Sequence, residues 1–161
     1  MTGSKINLFN LGTRLALILL VGLHATHLVG DEAFNDPLSE KPFAEARVIL
    51  QLSDGDSDLQ SRVLNIANNL IKHYGGPDFI DIEVVAFGPG IDLLYADNKN
   101  QDRISSLATS GVRFMGCMNT VETIERTSGT RPELNSLTIP VQTGVAHLVK
   151  RAGQGYVIVK P

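Results

Sequence analysis

Short apolar runs, each closed by turn-forming residues and followed by a segment of helical period, recur along this chain, and that alternation excludes most folds. Val48-Ile49-Leu50-Gln51-Leu52, Ile82-Glu83-Val84-Val85-Ala86-Phe87 and Val112-Arg113-Phe114-Met115 read as strands buried on both faces. After the first run, Leu59, Val63, Ile66, Ala67, Leu70, Ile71 and Tyr74 recur at spacings of three and four, and Gly75-Gly76-Pro77 ends the helix they imply. Ser57 with Gln60 three residues on has the pattern of a capping box for its start.

The same rhythm continues to the C-terminal side. Gly88-Pro89-Gly90 closes the second run as a structural turn, and Ile91, Leu93, Leu94 and Ala96 suggest a helical turn or two. A short amphipathic helix over 102–110 puts Ile104, Leu107 and Ala108 inward, and Gly111 stops it. A helix over 120–127, a polar loop over 128–135, a strand over 138–141, a helix ending at Gly153 and a last strand over 156–160 complete the order. Strand and helix alternate throughout. The fold class expected is α/β, a three-layer α/β/α sandwich with a mainly parallel four- to five-stranded sheet, right-handed crossovers and helices on both faces.

The N-terminal segment has a different character. Residues 15–23 form an uninterrupted apolar run of nine behind Lys5 and Arg14, the layout of a secretory signal peptide. Extended to Gly30 the run reaches 16 residues, short of the ~20 a membrane-spanning helix needs. Residues 1–30 are therefore expected to be a signal peptide or an N-terminal membrane anchor, 31–46 an acidic, proline-containing linker, and 47–161 the folded domain. Export to the periplasm follows, with tethering to the inner membrane through an uncleaved leader as the alternative.

Charge and cysteine content narrow the function. Net charge is −3, and the first 29 residues carry two bases and no acid, leaving −5 for the rest. Nothing there suggests nucleic acid. A single cysteine rules out a disulfide framework, a Cys-x-x-Cys redox motif and a cysteine-rich zinc site. No metal or cofactor is expected.

Cys117 ends the third run just before a helix that Asn119 or Thr120 is placed to cap. An open α/β sheet puts its ligand site at the carboxyl ends of its strands, and helix N-terminal amides there favour a thiolate over a thiol. Cys117 is thus the leading candidate for chemistry, as a partly exposed thiol; a buried, inert cysteine is the competing account. Arg113 shares its face if the strand runs as far as Cys117. His147, on the helix after the fourth strand, is a candidate base if the fold brings it to the sulfur. Asp54 ends the first strand and so lies at the same edge of the sheet. Asp54, Asp56 and Asp58 open like a calcium loop, but Leu59 stands where that loop needs glycine and Asn65 where it needs glutamate.

Taken together, residues 48–53, 65–75, 82–90 and the stretch Gly111-Val112-Arg113-Phe114-Met115-Gly116-Cys117-Met118-Asn119-Thr120 resemble the DsrE/DsrF-like (YchN-like) family over about residues 46–161. The resemblance implies an α/β sandwich that forms trimers or hexamers. It also implies a sulfur-relay role, in which Cys117 accepts sulfane sulfur as a persulfide from a donor and passes it to an acceptor. On that likeness the chain is a sulfur carrier or sulfurtransferase working with donor and acceptor proteins or small sulfur species. The alternative is a non-enzymatic oligomeric module that binds a small ligand and keeps Cys117 as a structural residue.

Overall fold

The computed structural model describes residues 41–161, all within one compact unit. The leader or anchor over 1–30 and most of the 31–46 linker lie outside the described residues. Among those described, no helix is long and apolar enough to cross a membrane.

Five parallel strands form one sheet: β1 (Ala46–Leu52), β2 (Ile80–Ala86), β3 (Arg113–Cys117), β4 (Thr138–Val141) and β5 (Val157–Val159), in the order β4-β3-β2-β1-β5. The helices are α1 (Ser57–His73), α2 (Gln101–Thr109), α3 (Met118–Ser128) and α4 (Gly144–Ala152), with a 3-10 helix over Gly88–Leu94. The α/β sandwich with a parallel sheet expected from the sequence is the observed architecture.

The connections explain why the two faces differ. From β1 to β4 each strand is laid beside the last, so right-handed crossovers carry every intervening helix to the same side. There Leu50, Leu52, Val84, Ala86 and Phe114 pack against Val63, Leu64 and Ala67 of α1, Ile104 and Leu107 of α2 and Val121 of α3. Each fully buried large side chain contributes about 1.5–3 kcal/mol through the surface it removes from water. The last crossover returns from β4 across the sheet to β5, which reverses the direction and puts α4 on the other face. That face has a smaller core of Ile49, Val85, Met115, Leu148 and Tyr156. Helices do cover both faces, but among the described residues the second is covered by α4 alone.

Local capping departs from the sequence reading in two places. Asp56, not Ser57, caps α1, its Oδ1 accepting from the amides of Asp58 and Leu59, both at 2.9 Å. The carboxylate both satisfies two free amides and complements the helix dipole, so it outcompetes the hydroxyl. Gln60 instead turns to the Gly55 carbonyl and to Asn98. Helix α3 begins at Met118, two residues earlier than expected, with Cys117 in the capping position and no side-chain capping bond. Before β1, Lys41 donates to the carbonyls of Pro77 at 2.7 Å and Ile80 at 3.0 Å, tying the preceding segment to the start of β2. Burial lowers its ammonium pKa, a trend that neighbouring Asp81 opposes.

Candidate functional site

Cys117 and Val141 are register partners at the carboxyl ends of β3 and β4. Beyond Cys117 the chain enters α3 and buries Val121 in the larger core; beyond Val141 it enters α4 and buries Leu148 in the smaller one. The two connections therefore part to opposite faces between these strands. Such a switch point leaves the crevice where open α/β sheets bind their ligands.

The sulfur is held by backbone. The Gly144 amide donates to Cys117 Sγ at 3.3 Å, and the thiol lies 3.8 Å from the Gln142 carbonyl that can accept its hydrogen. Gly144 is the first residue of α4, so the positive helix end at the sulfur belongs to α4. The sequence reading expects it from α3. The difference arises because residues 142–143 fold over the strand ends and bring the α4 terminus onto the sulfur. A Cβ on Gly144 would stand 3.1 Å from Phe87 Cδ1 and 3.3 Å from Cys117 Cβ, so only glycine fits without a shift. Cys117 is 5% exposed, a buried thiol rather than the partly exposed one expected, because this loop and the α4 terminus roof it.

Asn119 and Thr120 stand beside the sulfur in roles other than capping. Asn119 laces the roof: its amide donates to the Gln142 carbonyl at 3.0 Å, its Nδ2 to Thr143 Oγ1 at 2.9 Å, and its Oδ1 accepts from Gln142 Nε2 at 2.7 Å. Thr120 Oγ1 accepts from the Gly88 amide at 3.0 Å, joining α3 to the 3-10 helix. Both residues also line an open cavity of about 500 Å³ with Gly88, Pro89, Asp92, Thr123 and Ile124. Gly90, next to Pro89 in the same 3-10 helix, is a structural residue, since a Cβ there would meet the Leu52 carbonyl oxygen.

Asp54 and His147 are engaged elsewhere. Asp54 Oδ1 accepts from the Asp56 amide at 3.0 Å in the turn after β1, and β2 separates β1 from β3. His147 Nε2 lies 2.7 Å from Glu83 Oε2. A carboxylate only accepts, so Nε2 carries a proton and the ring is oriented by Glu83. Glu83 pairs in register with Arg113, at the opposite end of β3 from Cys117, about 13 Å away along the strand.

His147 thus belongs to a buried charged network that the sequence reading did not assemble. Arg113 Nη2 lies 2.9 Å from Asp81 Oδ1 and 2.9 Å from Glu83 Oε1, and Arg151 Nη2 lies 2.6 Å from the same Glu83 oxygen. Tyr156 donates to Asp81 Oδ2 at 2.5 Å and accepts from Arg113 at 2.9 Å, with the Arg151 guanidinium 5.0 Å over its ring. Burial alone would raise the Glu83 carboxyl pKa; the His147 hydrogen bond and the Arg113 and Arg151 charges outweigh it and hold the group below its ordinary range. The Tyr156 hydroxyl is pushed up to about 12, first by burial and then by its bond to Asp81. The available signal was Asp81 and Glu83 at alternating positions of an otherwise apolar strand, with Arg113 at the matching position of the next. Among the described residues, no group of three or more His, Cys, Asp or Glu side chains is arranged to hold a metal ion.

No family model matches the chain, and no curated protein matches it. Among solved structures it is similar to a protein of unknown function, MTH1491 from Methanobacterium thermoautotrophicum. The two are 29% identical, with a TM-score of 0.64, over 73% of this chain and 100% of that one.

Proposed function

We propose that this chain is a sulfur carrier that holds one sulfane sulfur on Cys117, in keeping with its resemblance to the DsrE/DsrF-like family. The observation that carries the reading is the Gly144 amide 3.3 Å from Sγ at the β3/β4 switch point. The Cys117 thiolate attacks the outer sulfur of a donor persulfide or polysulfide. A new S–S bond forms as the donor's S–S bond breaks, and the donor sulfur leaves with the electron pair as a thiolate. An acceptor thiolate then attacks the sulfur held on Cys117, and the Cys117 thiolate is the leaving group. No net oxidation occurs, and the α4 amide stabilises the anionic sulfur at the start and end of the cycle.

Donor and acceptor are proteins or small sulfur species, and the carrier is an exported homo-oligomer, a trimer or hexamer. Val145 and Val149 of α4, 53% and 69% exposed, and Ile158 of β5, 39% exposed and on the same face of the sheet as α4, supply an apolar surface suited to contact between copies. Export rests on the apolar run at 15–23.

Treatment of reduced protein with inorganic polysulfide tests the proposal by intact mass. Wild type should gain one sulfur, removable by reductant, and Cys117→Ser should gain none. Folded, reduced wild type that gains no mass from neutral to alkaline pH sinks it. The binding-module reading would then stand: Cys117 is 5% exposed and the 500 Å³ cavity is lined without it. Slow thiol labelling of the folded protein favours that second reading.

A further inference from the structure

We propose that Glu83 is a positioning residue for the Cys117 sulfur, acting through α4; the inference rests on the carrier reading of Cys117. Helix α4 has little apolar anchorage, with only Gly144 and Leu148 buried and Val145 and Val149 exposed. Two of its polar side chains share one buried partner. Glu83 is fully buried, and two α4 side chains one turn apart converge on it, His147 Nε2 at 2.7 Å from Oε2 and Arg151 Nη2 at 2.6 Å from Oε1. The first turn of the same helix presents the Gly144 amide to Sγ at 3.3 Å, and His147 bonds back to Thr143, the residue before Gly144, through its own amide at 3.0 Å.

A buried ion pair is a poor source of stability compared with apolar packing of the same volume, but it fixes geometry, because charged partners tolerate little displacement. Glu83 therefore sets where α4 lies along the sheet, and with it the distance between the helix terminus and the sulfur. Asp81, Arg113 and Tyr156 complete the group facing Glu83 from β2, β3 and the start of β5.

The rate of Cys117 alkylation by iodoacetamide, measured across pH in full-length folded protein, tests this without any sulfur donor. If Glu83 positions α4, Glu83→Gln lowers the rate about tenfold at neutral pH, the loss expected from one charge-assisted hydrogen bond to the thiolate. At alkaline pH, where the thiolate is fully formed, the rate stays close to wild type. Removal of a negative charge without movement of α4 would raise the neutral rate instead, and loosening that merely uncovers the thiol would raise it at both ends. Either result overturns the proposal, as does an unchanged profile. Should Glu83→Gln fail to fold, His147→Gln, at a side chain 13% exposed, takes its place with the same expected profile. The polysulfide experiment on wild type separately decides the carrier reading: a shifted alkylation profile with no sulfur uptake leaves Glu83 a positioning residue for an unused thiol.

Discussion

The Gly144 amide lies 3.3 Å from Cys117 Sγ, and this contact joins the end of one strand to the beginning of a helix on the opposite side of the sheet from the strand's own helix. A side chain at residue 144 would crowd it. In Gly144→Ala the added Cβ meets Phe87 at 3.1 and 3.2 Å and Cys117 Cβ at 3.3 Å. Such overpacking costs about 1–3 kcal/mol. Urea denaturation should register that loss, together with faster thiol labelling at alkaline pH, where the thiolate is fully formed and access alone sets the rate, as the roof over the sulfur opens. Unchanged stability and labelling would mean that Phe87 yields freely.

Glu83 links stability to acid pH. Its carboxyl is held below the ordinary 4.5, so the folded state binds the proton more weakly than the unfolded state does. Its contribution is complete above about 4.5 and is lost as pH falls through the lower folded value. Glu83→Gln leaves Arg113 and Arg151 with less compensation and should cost about 3–5 kcal/mol at neutral pH. Denaturation of both proteins over a pH series should show the gap narrowing toward strong acid. A gap that stays constant there would assign the loss to packing.

Tyr156 links stability to alkaline pH with the opposite sign. Its folded value is raised from 10.0 to about 12, so its contribution is present below about 10 and is lost as pH rises through about 12. Ultraviolet titration of the protein's three tyrosines should contain a step near 12 in wild type that disappears in Tyr156→Phe. A wild-type titration finished well before that pH would contradict the buried bond to Asp81.

The exposed apolar surface of α4 and β5 carries the expectation of self-association. Val149→Lys, at a side chain 69% exposed, should leave the thermal melt of the fold unchanged while reducing the mass measured by light scattering. An oligomer of unaltered mass would put the contact elsewhere.

The fold was legible because the strands that build it are mostly apolar runs, rich in β-branched residues in β1 and β2, and turn residues punctuate them. The 138–141 strand matches Thr138–Val141 in both limits, and helix α2 differs from its expected range by one residue at each end. Cys117 at the carboxyl end of β3 was equally legible, since it follows from local order alone. Its amide partner was not. That contact depends on β4 lying beside β3 and on α4 crossing to the second face, which are properties of strand order rather than of any local window. His147 illustrates the same limit: its helix was expected, but the choice between Cys117 and Glu83 depends on how α4 runs back over the sheet. The Asp81, Glu83 and Arg113 cluster left a trace, yet reading it required knowing that β2 and β3 pair in that register.

The position of β5 bears on how the chain folds. β5 pairs with β1, so Val48 meets Val157 from more than a hundred residues away, whereas β1 to β4 are each laid beside the strand before. Closing so long a loop is slow compared with the local steps. The first four strands and their helices are therefore expected to assemble first, with α4 and β5 docking afterwards. During that interval the sulfur has no roof. Pulse labelling of Cys117 in refolding protein should find the thiol reactive early and protected only when the final strand pairs. If the protein is exported unfolded, this delay is the period in which the thiol is open to oxidants or to a sulfur donor before the site closes.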